Sequence, residues 1–352
     1  MVVAPSLATL PNDVIYAILH LSAAALKPRL VNGRRPRLQL LVRASLVCRA
    51  WREPAQALLS QSISVTRTEV ERWVNAPAAN GVRPTSVELT LTGLARTDTE
   101  MEVLVRGAMG KCAGVRELIL SGSGAQMDFL EMEELAGAWP PTLTCGAAQL
   151  ISCTDLTRLT LDFTFPTPKR LLSSYKFPFR LTSLCPGAIS RSSALLPLLT
   201  CSARSLTHLD ITSLFIVPGR NTPFGTLVEH FHLVASTLSR LSLRLWRDDV
   251  QNFGLLLSQA TALEVLECSV HDGSHEDLKV VLEMVGTPLK SLKLARWPAQ
   301  AWTTLEDALE CKALERLREL QVYTNDVGES AERRSFVAEC MRRGVKLAVE
   351  AL

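Results

Sequence analysis

The side chains that could do chemistry in this sequence are scattered, and few stand at a spacing that metal binding or catalysis needs. His271 and His275 lie within the acidic stretch 271–277, and histidines and carboxylates are common metal ligands. His230 and His232 form a second histidine pair. No further ligand stands at metal spacing from either pair, and a glycine separates the first two histidines. We therefore expect a polar loop and a helix start at 271–277, without a metal ion or another cofactor.

Sequence signatures of an activated nucleophile or a phosphate-binding loop are absent. The chain has no Gly-x-Ser-x-Gly turn, no glycine-rich phosphate loop and no recurring Cys–His neighbourhood. Its nine cysteines are odd in number, scattered and without a Cys-x-x-Cys pair, which favours free thiols in the cytosol or the nucleus. We therefore expect a protein that is not an enzyme.

Charge and hydropathy narrow the classes of partner. The 352 residues carry 38 basic and 35 acidic side chains, and a net charge of +3 is too small for a general nucleic-acid binder. No apolar run approaches the roughly 18 residues that a membrane helix needs. The first residues lack a basic leader and include Asp13, which argues against a secretory signal. The partners are therefore expected to be proteins, with neither nucleic acid nor membrane.

A repeated hexamer organises most of this leucine-rich chain, which has 59 leucines. The pattern apolar-x-x-Leu-x-apolar begins at residues 115, 156, 206, 238, 263, 289 and 317, with weaker copies at 86 and 181. Each copy alternates apolar and polar residues, which predicts a strand with one buried face. The residues between copies show helical spacing, as at Trp302, Leu305 and Leu309. Since one strand–helix unit cannot bury its apolar face alone, neighbouring units must stack.

Strand–helix units that begin with Leu-x-x-Leu-x-Leu resemble leucine-rich repeats. The resemblance covers about residues 86–350 and implies an α/β solenoid, a horseshoe of parallel strands and helices. The asparagine that usually follows the strand in that family is mostly missing, and an insertion occupies residues 121–149. A closed (β/α)₈ barrel enzyme is the alternative from another class, because repeated strand–helix units can also close into a ring.

Local signals predict where the units begin and end. Ser274, with an aspartate three residues later, predicts a capping box at a helix start. Trp297 is expected to be buried at a strand-to-helix turn. The last helix is predicted to run from about Ala331 to Gly344, and an edge strand is predicted at 345–350.

Alternation along the strands predicts a polar sheet face opposite the leucines. This face is either a recognition surface for a target protein or an ordinary solvated surface. Ser242 is expected to face solvent there. The other candidate residues on this face are Arg158, Asp162, His208, Asp210, Arg240, Arg244, Glu267, Lys293, Gln321 and Tyr323.

The first 60 residues lack the repeat and carry two short motifs. Leu-Pro-x-Asp-x-Ile-x-x-Ile-Leu begins at Leu10, and Leu-Val-Cys-Arg-x-Trp begins at Leu46. A helix break is predicted at Pro54. Together and in this order, over about residues 8–60, the motifs resemble an F-box. The stretch 20–37 is longer and more basic than the connector usual in that family, and we interpret it as a loop insertion.

An F-box followed by leucine-rich repeats implies the substrate-recognition subunit of an SCF-type cullin-RING ubiquitin ligase. The implied domains are an F-box at 1–60, a linker with a first strand and helix cap at 61–85, and repeats at 86–352. The F-box would bind a Skp-family adaptor, and through it cullin and RING subunits, while the repeats bind a target protein. An adaptor-bound scaffold outside a ligase is the alternative. The implied adaptor-binding residues are Leu10, Pro11, Val14, Ile15, Ile18, Leu46, Val47 and Trp51.

Overall fold

The structure is a computed structural model of the chain. It describes residues 11–25, 34–65, 67–75, 84–90, 107–108, 110–112, 114–121, 153–162, 177–186, 195–212, 229–245, 250–271, 274–325, 328 and 330–351. Leu10 and nearly all of the insertion predicted at 121–149 lie outside these residues.

Eleven parallel strands form one sheet, and they lie side by side in chain order. The nine predicted repeats correspond to β2–β10, which confirms their order. Within the described part of the chain, β1 pairs with β2 and β11 pairs with β10, so the sheet is open and the barrel alternative is wrong. The strands are β1 (Ser62–Val65), β2 (Ser86–Thr90), β3 (Glu117–Ser121), β4 (Arg158–Asp162), β5 (Ser183–Cys185), β6 (His208–Asp210), β7 (Arg240–Leu245), β8 (Val265–Val270), β9 (Ser291–Trp297), β10 (Glu319–Thr324) and β11 (Lys346–Ala351).

The repeat leucines form the core beneath the sheet. Leu206 and Leu209 of one unit are fully buried, as are Leu238 and Leu241 of the next. Because side chains alternate along a strand, the apolar residues at the fourth and sixth places of the hexamer share one face. The first-place leucine lies two residues before β6 and β7 begin and is buried in the same core. Each fully buried leucine contributes about 1.5–3 kcal/mol through removal of its apolar surface from water.

Main-chain hydrogen bonds join successive units just before each strand begins. The amide nitrogen of Thr182 donates to the carbonyl of Thr157 at 2.7 Å, and the nitrogen of Thr207 donates to the carbonyl of Thr182 at 3.0 Å. The side-chain hydroxyl of the residue at this position also donates to the same carbonyl of the preceding unit, at 3.1–3.2 Å. The residues that donate through this hydroxyl are Thr85, Thr157, Thr182, Thr207 and Ser239.

Short helices connect the strands and pack their apolar side chains into the same core. Their brevity is consistent with a stack in which tertiary packing rather than helix length supplies the stability. The described helices are α1 (Asn12–Ala25), α2 (Arg34–Val47), α3 (Arg49–Gln61), α4 (Arg67–Asn75), α5 (Leu196–Ser202), α6 (His232–Ala235), α7 (Gly254–Gln259), α8 (Leu278–Met284), α9 (Trp302–Ala308) and α10 (Ala331–Arg342).

The predicted capping box at Ser274 is wrong. Residues Ser274–Asp277 form a 3₁₀ turn ahead of α8, and the Ser274 hydroxyl caps neither helix end. It donates to the carbonyl of Leu245 at 2.8 Å and accepts from the amide of His271 at 3.2 Å. The buried hydroxyl thus ties the turn to the end of β7, because a buried polar group needs partners wherever it lies.

The N-terminal helices have their own core, and α3 runs through Pro54 without the predicted break. Pro54 lies in the second turn of α3 and is buried with Leu58, so packing compensates for one lost main-chain hydrogen bond. The core residues of this helical module, residues 12–61, are Ile15, Leu19, Leu41, Ala44, Ala55 and Leu58.

One predicted boundary within the helical module also needs correction. Both ends of the segment 20–37 are helical, since α1 runs to Ala25 and α2 begins at Arg34, so the predicted basic loop is too long. α1 ends in a run of alanines, and alanine has the highest helix propensity of any residue type. The segment 61–85 contains the predicted first strand and helix, because β1 begins the sheet at Ser62, directly after α3, and α4 follows it.

The C-terminal end of the sheet follows the prediction. Ser330 caps α10 by accepting a hydrogen bond from the amide of Arg333 at 3.1 Å. Gly344 follows the helix with a φ of +71°, the left-handed conformation that glycine adopts without strain. The edge strand β11 then pairs with β10.

Candidate protein-binding surfaces

The sheet face opposite the leucine core carries the residues predicted from alternation; we call it the open face. Two rows of side chains cross it in register. The first row is Arg158, Ser183, His208, Arg240, Val265, Ser291, Glu319 and Lys346. The second is Asp210, Ser242, Glu267, Lys293, Gln321 and Ala348. The predicted orientation is thereby confirmed for the candidates in these rows.

Opposite charges on the open face pair with each other at its centre. Arg240 and Glu267, on adjacent strands, form an ion pair at 3.2 Å with both side chains partly exposed. Asp210 accepts hydrogen bonds from the amide and the hydroxyl of Thr212, at 3.0 and 2.6 Å. These contacts hold the side chains in place before any partner arrives, and a pair of this exposure adds at most about 1 kcal/mol of stability.

His208 is a half-buried polar residue on the open face. The His208 Nδ1 atom lies 3.2 Å from the hydroxyl of Ser183. Burial lowers the pKa of His208, and the adjacent Arg240 guanidinium lowers it further. The imidazole is therefore held in its uncharged form at neutral pH.

Tyr323 lies at the other end of the open face, among carboxylates. Its hydroxyl donates to Gln321 at 3.4 Å, and Gln321 donates to Glu319 at 2.9 Å. Burial raises the pKa of Tyr323, and the carboxylates of Glu350, Glu267 and Glu319 raise it further. The phenol is thus a neutral hydrogen-bonding group.

The candidate residues are spread along the sheet and do not converge on one point. Arg158 on β4 and Tyr323 on β10 are separated by six strand spacings, or about 29 Å. Asp162 ends β4, and its side chain lies outside the described part. Arg244 lies on the same face as Arg240, four residues further along β7. An arrangement of this width can contact a protein surface.

The prediction for Ser242 is wrong in one respect. Its side chain is on the open face, yet only 2% of the residue is exposed. Its register partners are Asp210 and Glu267, both longer, and these flank it on the two neighbouring strands. Lys293 is partly exposed, as predicted.

Arg296, which sequence reasoning missed, lies where β9 departs from regular alternation. Strict alternation would direct Arg296 into the core and Trp297 outward, but Arg296 is exposed and Trp297 is 1% exposed. The predicted burial of Trp297 is therefore confirmed. In the sequence, alternation places Trp297 on the open face although a tryptophan there is expected to be buried. This conflict could have predicted an irregular end of β9.

Exposed apolar side chains lie on α1 and α2 of the helical module; we call this group the helical-module patch. Leu46 and Val47 are 74% and 69% exposed, and Val14 and Ile18 are 39% and 38% exposed. Two members, Leu21 and Val42, were not predicted, although Val14, Ile18 and Leu21 follow helical spacing.

Two residues assigned to adaptor binding differ from the rest of that set. Ile15 is fully buried in the module core, one position along α1 from Val14, so its assignment to a surface is wrong. Trp51 is half-buried and packs against the same core. Pro11 is exposed. Neighbouring residues on a helix can differ in exposure, because each successive residue is rotated by about 100° around the helix axis.

The described residues contain no group of three or more His, Cys, Asp or Glu side chains that could hold a metal ion. His271 instead contacts Arg296, and His275 packs edge-on against Trp297 at 6.1 Å between ring centroids. Among the described cysteines all are free thiols, and burial raises the pKa of Cys112 to about 12. Within this part of the chain, none of the helices has the length and apolar character needed to cross a bilayer.

Comparison with known proteins finds similarity among solved structures. No protein-family profile matches the chain. No curated protein matches it either. A solved structure that is similar is the leucine-rich repeat-containing protein LegL7 from Legionella pneumophila, with 16% identity and a TM-score of 0.49, covering 82% of this chain and 91% of that one.

Proposed function

We propose that this chain is a leucine-rich-repeat substrate receptor of an SCF-type ubiquitin ligase. In this proposal the helical module binds a Skp-family adaptor, and the open face binds a target protein. The chain performs no reaction itself and brings the target close to the ligase. The observation that carries the proposal is the helical-module patch, at the positions where the F-box resemblance predicts adaptor contacts.

The small core of the helical module supports the proposal that a partner binds this patch. Six buried residues from three helices form that core, while Leu46 and Val47 remain more than two-thirds exposed beside it. Several large apolar side chains exposed on a small domain indicate an interaction site, since leaving them in water is unfavourable. An adaptor helix or groove would remove it from water.

The open face supports the target-binding half of the proposal. It is broad, mixed in charge and internally hydrogen-bonded, so little side-chain ordering is needed when a partner binds. Interfaces also use aromatic and arginine side chains as anchors, and Tyr323, Arg158 and Arg240 are of these types. The free thiols are consistent with our further proposal that the chain acts in the cytosol or the nucleus.

The test changes the patch without touching the module core. We expect Leu46→Asp with Val47→Asp to abolish co-purification of adaptor and cullin, because two charges would enter an apolar interface. Folding should persist, since both residues are exposed. Met341→Asp is the matched control, because Met341 is equally exposed, at 74%, but lies on α10. Both variants are compared with the unchanged chain by affinity purification and quantitative mass spectrometry.

The outcomes separate the proposed function from its alternative. Retention of the adaptor by the double variant would contradict the assignment of the patch. Recovery of adaptor without cullin, from the unchanged chain, would favour a scaffold outside a ligase. Target proteins should stay bound to the double variant, because the open face lies in the sheet.

A further inference from the structure

The last strand of the sheet, β11, has an edge that the proposed function does not use. β11 pairs with β10 along all six of its residues, from Lys346 to Ala351. Within the described part of the chain, no strand pairs with the other edge of β11. Unpaired strand edges can pair with another chain, and proteins usually protect them with a proline, a bulge or several charges of one sign.

β11 is a regular strand without such protection. It contains no proline, and it pairs with β10 without a register shift. By contrast, the pairing of β9 with β10 shifts between Val322 and Thr324, and Arg296 lies in this β-bulge. β11 therefore presents an even edge to which a further strand can be added.

The apolar side chains of β11 are incompletely buried. Leu347 and Val349 pack against the core but are only partly buried. Their register partners on β10, Leu320 and Val322, are fully buried. Across the described residues β10 has a strand on each side, whereas β11 has one on a single side. A further strand would remove more of Leu347 and Val349 from water, which is favourable.

The main-chain groups at the free edge belong to alternate residues of β11. The amide of Lys346 donates to the carbonyl of Arg318 at 2.9 Å, so the main-chain groups of Lys346 point towards β10. Successive residues of a strand direct these groups to opposite edges. The amides and carbonyls of Leu347 and Val349 therefore point away from β10, towards any strand that is added.

We propose that β11 pairs with β11 of a second copy of this chain, in an antiparallel dimer with its two-fold axis at Ala348. In this register Leu347 exchanges two main-chain hydrogen bonds with the partner's Val349, and Val349 does the same with the partner's Leu347. The contact is used up once two copies meet, so it gives a dimer and not a fibre. It does not depend on the proposed function, because the helical module adjoins β1 at the other end of the sheet.

Charge complementarity favours a second copy as the partner and selects this register. Lys346 and Glu350 lie on the open face, and among the described residues neither forms an ion pair. The two-fold pairing places each Lys346 directly opposite the partner's Glu350, where opposite charges attract. A shift of two residues in either direction keeps the main-chain hydrogen bonding. It would, however, place the partner's Ala348 opposite one of the two charges.

Sedimentation velocity of the full chain, from about 1 to 100 µM, measures this association. One strand pair buries less surface than a permanent interface, so we expect a weak dimer with a dissociation constant on the order of 10 µM. Lys346→Glu and Glu350→Lys should each raise this constant about tenfold or more, because each sets like charges opposite each other twice. Lys312→Glu, at an exposed lysine before β10, is the matched control and should dimerise like the unchanged chain.

An equimolar mixture of the two charge variants tests the register. One copy then carries two glutamates and the other two lysines, so both cross-strand pairs are again opposite in sign. We expect the mixture to dimerise at concentrations where each variant alone is a monomer. The exposed positions of Lys346 and Glu350 should leave the melting temperature unchanged.

Val349→Pro tests the main-chain pairing. The amide of Val349 faces the free edge, so proline there removes a donor to the second copy but none to β10. This variant should remain a monomer over the whole concentration range. Ala348→Pro, one residue away, removes a hydrogen bond to β10 and should lower the melting temperature more.

Three results would overturn the inference. The first is an unchanged chain that stays a monomer over the whole range. The second is association that neither charge variant alters, which would assign it to another surface such as the helical-module patch. The third is a mixture of the charge variants that associates no better than each variant alone, which would contradict the pairing of Lys346 with the partner's Glu350.

Discussion

At the scale of single residues, the face of the strand on which a side chain lies determines how much its removal lowers the free energy of unfolding. Leu292 is fully buried, while the adjacent Lys293 is partly exposed on the open face. We expect Leu292→Ala to lower the free energy of unfolding by about 2–5 kcal/mol, because the lost side chain leaves a cavity. Lys293→Ala should change it by less than about 0.5 kcal/mol. Urea unfolding followed by circular dichroism measures both, and equal losses would contradict the strand register.

Residue orientation was predictable from the sequence, but residue exposure was only partly so. Alternation correctly places Lys293 and Ser242 on the open face, because the leucine frame fixes which face is buried. It does not reveal that Asp210 and Glu267 cover Ser242, since this depends on the register between strands. Arg296 was missed for a related reason: the bulge that turns it outward forms only when β9 pairs with β10.

At the scale of elements, a hydrogen bond from the residue that follows α10 connects this helix to the end of α9. Arg343 donates from Nη1 to the carbonyl of Leu309, at the end of α9, at 2.7 Å. Arg342 and Arg343 also donate to Glu339, and these hydrogen bonds lower its pKa to about 2. Glu339 therefore helps to hold the two arginines that order the last helix.

The lowered pKa of Glu339 predicts a pH dependence for α10. A carboxyl group whose pKa is lower in the folded state stabilises that state above its ordinary pKa of 4.5. The contribution disappears as the pH falls towards about 2. Protection of α10 amides from hydrogen exchange should thus exceed that of Glu339→Gln at pH 6, and the difference should shrink on acidification. Glu315→Gln, at an exposed position, is the control. A difference independent of pH would contradict the role of these hydrogen bonds.

The elements differed in how well the sequence predicted them. The end of α10 at Gly344 and the position of β11 were predicted from local signals, a glycine and the strand that follows it. The extents of α1 and α2 were not predicted, because the basic residues between 20 and 37 favour a loop, whereas Arg34 and Arg35 begin α2. The buried stripe of α1 at Ile15 and the exposed stripe at Val14 are one residue apart, and the motif resemblance alone does not separate them.

At the scale of the whole molecule, stability comes from contacts between successive units. Each strand pairs with its neighbours in sequence, and the sheet domain shares one apolar core from β1 to β11. The helical module adjoins one end, where the amide of Thr85 donates to the carbonyl of Gln61 at 2.9 Å. The sequence predicted this order because a repeat with a strand at a fixed place allows few arrangements, and parallel neighbours are the simplest.

Removal of one whole unit tests this architecture. Val265 and Ser291 are register partners on β8 and β9, so deletion of 265–290 joins the chain at equivalent positions. After the deletion β7 can pair directly with β9, with Leu241 beside Leu292. In a stack of units, stability is approximately a sum over units and their interfaces. We therefore expect a folded monomer that unfolds at a lower urea concentration than the complete chain.

A deletion that removes only half a unit is the matched control. Loss of 265–277 removes β8 and the following turn but keeps α8, whose buried residues Leu278, Val281 and Leu282 then lack a strand to pack against. This shorter deletion should give aggregated protein, although it removes fewer residues. Light scattering after size-exclusion chromatography, with circular dichroism, distinguishes the two variants. If both aggregate equally, the core behaves as one indivisible unit, because a stack of interchangeable units would tolerate the loss of one.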